Sequence, residues 1–453
     1  MSLPASETIN RVDSYMEMNV ELYEGWLKRL CAQPSISATG EGVLECAVLV
    51  QHLCEEAGLN VERIETPYHP IMLATVEGRS NYRLGFYDHY DVQPVDPLGE
   101  WESPPFTPTL RDGRLFARGV ADNKGNFVSR LAAIHAWLQV TGDVPVSVTF
   151  ILDGDEEVGS PGLIRVADVL QAKIALDGLI WESGSLNASD ELVTYEGVKG
   201  LLALELKVSE KRADLHSMYA TVVPSPVWRL IDILSSMRDS NGEVCIEDFA
   251  VDSRPPTTED MTEMGLYTEN EAAALRQLGA RSDLADSDLV FRHVFGPTLN
   301  VSGLSAGYVG EGEKTVLPAT ATARIDVRLV PDQSVDDVVK AISRHLTVCG
   351  FDDAELRVLN SVPAYRGSSG AALSSAVRSA AEDVYSGLIT YPTLPAAGPM
   401  HAICAPRGIP ASAASGTADF RSAFHAPNES IEIKNFQRAA KGISRVMQHL
   451  AES

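Results

Sequence analysis

Apolar side chains recur at helical spacing near the start of the chain. Within residues 20–58 they return every three or four positions, as at Leu22, Trp26 and Leu30, and Pro34 interrupts them. This spacing places them on one face of a helix, where they can pack against other elements. The pattern predicts an opening layer of helices.

Short apolar runs come next, together with a stretch that has helical spacing. The runs cover Ile71–Val76, Arg83–Tyr87, Val146–Leu152 and Leu179–Trp181, and the helical stretch covers Asn126–Leu138. Apolar runs of this length between polar turns are typical of buried strands. Strands that alternate with helices predict an α/β fold with a mainly parallel sheet and helices on both faces.

A different pattern begins after Gly200. It predicts two helices, near residues 226–237 and 335–346, and four strands, near residues 201–209, 298–304, 320–330 and 356–359. The order β-α-β-β-α-β is typical of a compact α+β domain of the ferredoxin-like type, here inserted into the first domain. Residues 246–293 are rich in Asp, Glu and Thr, and we interpret them as an irregular excursion.

Helices and apolar runs return after the inserted domain and end in a helix over Asn435–Leu450. The sequence therefore predicts one α/β domain in two parts, residues 1–199 and 359–453, with an α+β domain of residues 200–358 between them. The length agrees with two domains, because 453 residues exceed what one hydrophobic core usually supports.

Composition and charge narrow the range of partners. Hydrophobic residues make up 45% of the chain and charged residues 22%, as in ordinary soluble globular proteins. Acidic residues outnumber basic ones by 62 to 37, and the formal net charge of -25 repels phosphate backbones and anionic lipids. We expect neither nucleic acid nor a membrane as a partner.

Motifs that would indicate other protein classes are absent from the sequence. The six cysteines form no C-x-x-C pair, and no basic segment followed by an apolar run opens the chain. Both features are typical of reduced thiols in a cytoplasmic protein. Neither G-x-G-x-x-G after a strand nor G-x-x-x-x-G-K-[ST] occurs, which disfavours a nucleotide-binding enzyme.

Candidate chemistry begins with a histidine just after a predicted strand. His89 is followed two residues later by Asp91, whose carboxylate can orient the imidazole as a metal ligand. Asp122 lies in a polar, glycine-flanked turn before a helix, where its two oxygens can bridge two cations. Both features also have a structural interpretation, since short polar turns commonly cap helices.

Further acidic side chains follow other predicted strands. Glu156 and Glu157 are adjacent at the end of a strongly apolar strand, where they are costly unless paired or metal-bound. The alternative is a solvated pair that opens a helix. Glu182 again follows a strand, and His425 precedes a late helix. Ligands of open α/β sheets bind at the carboxyl ends of strands, so these residues together indicate a metal site.

Seven segments occur in an order that resembles one enzyme family. They are HYDVQPVDPLGEWESPPF, DGRLFARGVADNKG, DGDEEVGSPGL, DLHS, EKTVLP, RLVPDQ and FHAPNESI. The chain resembles the zinc exopeptidase and deacylase family that includes carnosinase, cytosolic nonspecific dipeptidase, glutamate carboxypeptidase, acetylornithine deacetylase and succinyl-diaminopimelate desuccinylase. The resemblance implies a metal-dependent hydrolase of amide bonds.

The resemblance also implies two Zn²⁺ ions per chain. His89, Asp122 and Glu182 would hold one ion, and Asp122, Glu157 and His425 would hold the other. Mn²⁺ or Co²⁺, or a mononuclear site, is the alternative, because carboxylate-rich sites accept several metals. Two such ions would lower the pKa of a bound water and prepare it to attack the scissile carbonyl.

Other residues receive roles from the same resemblance. Glu156 is expected to be the general base, and Asp91 to orient His89. The inserted domain is similar to a lid through which such chains form homodimers. His216 in DLHS is expected to reach the active site of the partner, and Arg328 in RLVPDQ to bind the substrate carboxylate.

The implied substrate is a dipeptide or an N-acyl amino acid with a free carboxylate. HYDVQP resembles dipeptidases, whereas Glu182 stands where dipeptidases often have Asp and where carboxypeptidase-like and deacylase members have Glu. Residues 396–401, AAGPMH, replace a Gly-Gly-Ser-Ile-Pro loop of the family and make His401 a candidate substrate contact. A deacylase is therefore one alternative, and a non-catalytic dimeric binding protein that keeps the fold is another.

Overall fold

The computed structural model describes residues 5–367 and 372–453. Residues 1–4 and 368–371, which belong to the two predicted α/β parts, lie outside the described residues. The helices are α1 Ala5–Met18, α2 Val20–Ala32, α3 Val43–Glu56, α4 Gly125–Thr141, α5 Pro161–Arg165, α6 Ala167–Lys173, α7 Pro226–Ser236, α8 Thr258–Gln277, α9 Asp286–Phe295, α10 Val335–Val348, α11 Ala372–Val384, α12 Met400–Cys404 and α13 Ile433–Glu452. The strands are β1 Asn60–Ile64, β2 Ile71–Val76, β3 Arg83–His89, β4 Thr109–Arg111, β5 Arg114–Phe116, β6 Ser147–Asp153, β7 Gly178–Trp181, β8 Ser185–Leu186, β9 Leu192–Tyr195, β10 Gly197–Val198, β11 Gly200–Ser209, β12 Leu215–His216, β13 Asn300–Ala306, β14 Val316–Leu317, β15 Thr320–Leu329, β16 Ala354–Val362, β17 Tyr365–Arg366, β18 Leu388–Tyr391, β19 Ala411–Ala413, β20 Ala418–Asp419 and β21 Ser430–Glu432.

The main sheet is mixed, with a parallel centre. Its order is β1-β2-β6-β3-β7-β19-β9-β8-β20, and β18 pairs with β9. Strands β6, β3, β7 and β19 run parallel, whereas β1 and β2 at one edge, and β9 beside β19, are antiparallel to their inner neighbours. The mainly parallel arrangement predicted from the sequence therefore holds for the centre of the sheet, whereas outer strands mix antiparallel pairs with the parallel pairs β8–β20 and β9–β18.

Side chains of the central strands alternate between two cores, because successive residues of a strand point to opposite faces. Leu84 and Phe86 belong to the core that includes helices α4 and α13. Tyr87 stacks on Trp181, with ring centroids 4.0 Å apart, in the core that includes α6 and α12. Helices thus cover both faces, as the sequence pattern predicts.

A second, antiparallel sheet has the order β13-β15-β11-β16. Alternate residues of β11 are buried, as in a sheet with one covered face, and α7 and α10 contribute to the same core. The chain enters and leaves this region through β10 and β17, which pair with each other. The exact boundaries of a separate domain at 200 and 358 stay a prediction.

The polar excursion predicted over residues 246–293 is not irregular, and this prediction is wrong. The segment contains helices α8 and α9. Thr257 caps α8 in a capping box with Asp260, and each side chain bonds the backbone N–H of the other. Only four residues of α8 are buried, including Met264 and Tyr267. Its narrow apolar face explains why composition alone misrepresents the segment.

Helix α8 packs against strand β18 of the main sheet. Tyr267 stacks on Tyr391 with ring centroids 4.1 Å apart, and the Tyr391 hydroxyl donates to Glu271 over 2.9 Å. Arg366 of β17 forms a buried bidentate ion pair with Asp260. The excursion therefore connects the region of the second sheet to the main sheet.

The cysteines are free thiols, in agreement with the sequence. Cys31, Cys46, Cys54 and Cys404 are buried, and the others are exposed. Within residues 5–367 and 372–453, no helix is both long and apolar enough to cross a membrane.

Candidate metal centre

His89 is the last residue of the central strand β3, and its side chain is buried. Its Nδ1 lies 3.1 Å from the backbone oxygen of Asp91 and 3.3 Å from Asp91 Oδ1. Both neighbours are acceptors, so the neutral ring carries its proton on Nδ1. In a neutral, metal-bound ring Nε2 would then carry the lone pair for the metal, whereas without a metal Nε2 donates to Asp122 and the pKa of His89 is raised. This nitrogen lies 3.0 Å from Asp122 Oδ1.

Asp122 joins two histidines that are far apart in the sequence. It lies in the helical turn Val120–Lys124 before α4 and follows a glycine with positive φ. Its Oδ1 faces His89, and its Oδ2 lies 3.0 Å from His425 Nε2. Burial alone would raise the pKa of Asp122, but hydrogen bonds with His425 and His89 hold that pKa below its usual range.

Glu156 and Glu157 lie in a single helical turn just after β6. Asp91 accepts their backbone N–H groups, over 3.1 Å from Glu156 and 3.0 Å from Glu157, and so fixes this turn beside His89. Glu157 Oε2 is 3.4 Å from His425 Nε2 and accepts a hydrogen bond from Gln93 over 2.8 Å. Burial and the nearby Asp122 raise the pKa of Glu157 to about 7.

Ligand-type atoms of His89, Asp122 and Glu157 all lie within 4.8 Å of one another. Burial, followed by the charge of Glu157, raises the pKa of Glu156 well above its ordinary value, against the opposing effect of His89. Two acidic groups with raised pKa values beside an imidazole pair form a site in which protons and cations compete for the same oxygens.

Glu182 follows β7 directly, and its Oε2 lies 3.6 Å from His89 Nε2. This oxygen is buried and has no hydrogen-bond partner within the described part of the chain. Burial and the charge of Glu156 raise the pKa of Glu182 well above its ordinary value. The backbone oxygen of Glu182 is held by Ser415 over 2.8 Å and by Asn123 over 3.2 Å.

The loop before α12 passes close to this centre. A Cβ added to Gly398 would lie 3.2 Å from the Trp181 ring and 4.0 Å from Glu156 Oε1. His401, three residues later, lies 6.5 Å from the ring centroid of Tyr365 and lines a separate cavity of about 530 Å³. The structure thus brings the loop to Glu156 but places the His401 side chain in another cavity.

His216 and Arg328 belong to the second-sheet region. His216 is exposed, and its Nδ1 accepts the backbone N–H of Met218 over 3.1 Å. Arg328 lies on β15, and among the described residues no carboxylate pairs with its guanidinium. The pKa of Lys199 is lowered to about 8 by burial and by nearby Arg328. No hydrogen bond or ion pair within the described ranges joins either residue to His89 or Asp122.

Sequence reasoning missed a buried ion pair behind the ligands. Arg118 Nη1 lies 2.9 Å from Glu429 Oε2, and each side chain is only 1% exposed. Burial raises the pKa of Glu429, although Arg118 opposes this effect. Both residues occur in segments that carry the family resemblance, FHAPNESI and DGRLFARGVADNKG. The sequence around Arg118 and Glu429 contains no local pattern that distinguishes a buried charged residue from a solvent-exposed one.

The residues present fit divalent cations. Nitrogen and carboxylate oxygen are the ligands that Zn²⁺ prefers besides thiolate, and Mn²⁺ and Co²⁺ accept the same set. Glu182 Oε2, buried without a hydrogen-bond partner in the described chain, is costly without a cation, and the Asp122 carboxylate presents one oxygen to each of two imidazoles, as a bridging ligand would.

Comparison with known proteins decides the family. The model of peptidase family M20/M25/M40 matches residues 85–449 of the chain. The chain belongs to this peptidase family. It is therefore a metallopeptidase or amidohydrolase that depends on divalent metal, and the resemblance to zinc exopeptidases and deacylases is confirmed.

Individual members of the family are similar over much of the chain. The Cys-Gly metallodipeptidase dug1 of Schizosaccharomyces pombe is 30% identical over 350 residues, which cover 71% of this chain and 72% of that protein. The human Beta-Ala-His dipeptidase is 28% identical, and the match covers 62% of this chain but 56% of the human protein. The M20 family metallo-carboxypeptidase Sso-CP2 of Sulfolobus solfataricus has a TM-score of 0.87 and 32% identity, covering 95% of this chain and 99% of that one.

Proposed function

We propose that this M20 peptidase uses two metal ions to hydrolyse an amide bond next to a free carboxylate. The Asp122 carboxylate carries the proposal, because its two oxygens each lie 3.0 Å from a different histidine. His89, Asp122 and Glu182 would hold one ion, and Asp122, Glu157 and His425 the other. Zn²⁺ suits this donor set, and Mn²⁺ or Co²⁺ are alternatives.

Glu156 is the proposed general base. When bound, the ions would supply Lewis acidity that lowers the pKa of a water and polarises the scissile carbonyl. The Glu156 carboxylate would accept the proton of that water and then deliver it to the nitrogen of the leaving amine. Burial raises its pKa, and a carboxylate with a raised pKa is a stronger proton acceptor. Asp91 holds the backbone of Glu156 in place.

The free carboxylate of the substrate is assigned to Arg328. An arginine without a carboxylate partner in the described chain is available for a bidentate contact with a substrate carboxylate. The region of the second sheet would act as a lid that brings Arg328 toward the metal centre. The loop that precedes His401 passes close to Glu156 at Gly398, so the backbone of this loop is the proposed substrate contact, whereas the His401 side chain lines another cavity.

A peptide is the preferred substrate over an N-acyl amino acid. The relatives described above are named dipeptidases and a metallo-carboxypeptidase, and their similarity supports peptide hydrolysis. Glu182, which resembles the residue of carboxypeptidase-like and deacylase members, keeps N-acyl amino acid hydrolysis as the second candidate.

A homodimer through the second sheet is also proposed. Strand β13 forms an edge of that sheet and exposes Leu304 by 65%, and α7 exposes Trp228 by 69%. An unpaired sheet edge and large exposed apolar side chains are both typical of protein interfaces. His216, exposed in the same region, would then donate a hydrogen bond in the active site of the partner.

The test is hydrolysis of a panel of dipeptides and N-acyl amino acids by zinc-loaded protein, with the metal content measured per chain. We expect cleavage of peptides and about two metal ions per chain. Glu156→Gln should lower kcat by roughly 10²- to 10⁴-fold without loss of metal, because only the proton acceptor changes. Glu62→Gln, at an exposed position on β1, is the matched control and should keep full activity.

The outcomes separate the candidates. Cleavage of N-acyl amino acids alone would favour the deacylase, and one ion per chain with full activity would contradict the two-metal site. A wild-type protein that takes up metal but cleaves no member of the panel would instead support a binding protein that has lost the chemistry.

A further inference from the structure

The Glu429 carboxylate is saturated by donors from the loop that carries Asp122. Its Oε1 accepts the backbone N–H groups of Ala121 over 2.8 Å and of Asp122 over 3.0 Å. Its Oε2 accepts the N–H of Gly119 over 2.8 Å and Nη1 of Arg118 over 2.9 Å. Four donors aimed at one buried carboxylate fix the backbone on which the bridging carboxylate is mounted.

Arg118 extends this network to the segments of two histidine ligands. Its Nη2 donates to the backbone oxygen of Pro94, in the segment after His89, over 3.1 Å and approaches that of His425 at 3.4 Å. Its Nη1 also donates to the oxygen of Ala426 over 3.3 Å. The ion pair therefore contacts the Asp122 loop and the His425 loop directly.

His425 needs such support. Its φ is 59°, in the left-handed region that a residue with a side chain seldom adopts. Its imidazole is about half exposed, so that packing alone holds it weakly. Arg118 donates to the backbone oxygens of His425 and Ala426 and so restrains this turn, together with the hydrogen bond from the Ala426 amide to the oxygen of Ala423.

The other ligands rest on a different buried group. Arg130 donates to the backbone oxygens of Tyr87 over 2.9 Å and of Trp181 over 2.6 Å, at the ends of the strands that precede His89 and Glu182. Arg130 thus supports the strands that precede His89 and Glu182, whereas the pair of Arg118 and Glu429 supports the His425 loop and also reaches the segment after His89. Asp122, whose backbone bonds Glu429, is common to both proposed sets of ligands.

We infer that Glu429 is a positioning residue that, with Arg118, holds Asp122 and His425 in the geometry required by the second metal ion. The inference rests on the proposed two-metal function. A glutamine would be a poor substitute, because its NH₂ group would face backbone and guanidinium donors where an acceptor is needed. Loss of this support should weaken the site of Asp122, Glu157 and His425 more than the site that Arg130 supports.

The test is a titration of metal-free Glu429→Gln with Zn²⁺ against a competing chelator, and with Co²⁺ followed by its visible absorption spectrum. We expect one of the two sites to lose about 10- to 100-fold in affinity, the range found when groups behind metal ligands are changed. The Co²⁺ titration of the variant should then require a higher free Co²⁺ concentration than the wild type to fill the second site. Glu429→Asp, which keeps the charge, should recover part of the lost affinity.

Asp260→Asn is the matched control, because it removes another buried carboxylate from its arginine, Arg366, outside the metal centre. It should bind two ions with wild-type affinity. If folded Glu429→Gln does the same, Glu429 has no positioning role and the proposed function still stands. If the wild type itself binds fewer than two ions, the proposed function fails first. If Glu429→Gln does not fold, Glu429→Asp must show the selective loss, and equal affinity at both sites would overturn the inference.

Discussion

At the scale of single residues, the centre is dominated by buried acids. Glu156, Glu157 and Glu182 all have raised pKa values, and burial is the largest cause in each case. Carboxylates crowded together favour either protons or cations as partners. The stability of the protein should therefore depend on metal and on pH in a way that single substitutions can reveal.

The effect of Glu182→Gln on the free energy of unfolding should have opposite signs in the metal-free and the metal-loaded protein. In the metal-free protein the variant is expected to be more stable near pH 8, because burial and the charge of Glu156 disfavour the charged form of Glu182 and raise its pKa. In the metal-loaded protein it should be less stable, since a ligand is lost. Urea unfolding with chelator and with Zn²⁺ measures both free energies.

The pH dependence follows from the raised pKa of Glu182. A folded-state pKa above the unfolded value of 4.5 stabilises the protein fully below pH 4.5, and this contribution is lost as the pH rises through the folded pKa. The advantage of metal-free Glu182→Gln over the wild type should therefore grow from pH 5 to pH 8. An advantage that is constant over this range would show that the pKa of Glu182 is not raised.

At the scale of elements, helix α8 shows how a local signal can be hidden by composition. Its residues are mostly polar, yet Thr257 and Asp260 form a capping box and Met264 and Tyr267 lie on one buried face. Caps and helical spacing were present in the sequence, while the surface that receives the buried face, strand β18, comes more than a hundred residues later. From a narrow apolar face alone, the packing position of a helix cannot be predicted, because the surface that it contacts is unknown.

Thr257→Ala should destabilise the protein by about 1 kcal/mol, because an N-cap hydroxyl that bonds the N3 amide would be lost. Thr262→Ala is the matched control, on the exposed surface of the same helix, and should change the free energy of unfolding by less than about 0.5 kcal/mol. Denaturant midpoints of both variants provide the measurement. Equal effects of the two substitutions would mean that the cap contributes nothing.

At the scale of the whole molecule, the proposed dimer makes the active site composite. Trp228→Glu should convert the protein to monomers of low activity, as measured by light scattering and by peptide hydrolysis, because a charge would be buried in an apolar interface. Leu278→Glu, at a position that is 84% exposed at the end of α8, is the control and should leave both properties unchanged.

Mixing two inactive variants tests whether His216 acts across the dimer. His216→Ala and Glu156→Gln each disable a different part of a composite site. After subunit exchange at equal concentrations, about half of the dimers contain one subunit of each variant, and one of the two sites in such a dimer is intact. The mixture should therefore recover up to about a quarter of wild-type activity. A mixture that stays as inactive as its components would place His216 outside the active site of the partner.

Most elements of the fold, and the family, could be predicted from the sequence alone. The strands of the parallel centre and helix α4 have local apolar patterns that match the structure closely, because spacing along the chain directly encodes which side chains are buried. Segments such as DGDEEVGSPGL and FHAPNESI place their chemistry within a few residues of a strand or helix end. Motifs of this kind depend on short-range geometry, which the sequence contains.

The tertiary structure decided what depends on pairing between distant segments. It made β1, β2 and β9 antiparallel to their inner neighbours, placed α8 on β18, and brought Glu429 onto the amides of Gly119, Ala121 and Asp122, some three hundred positions earlier in the chain. Each of these contacts depends on which surfaces pack against each other and on which charged groups are buried as a pair. Hydrophobic spacing and motif order do not specify these long-range contacts, so they are known only from the folded structure.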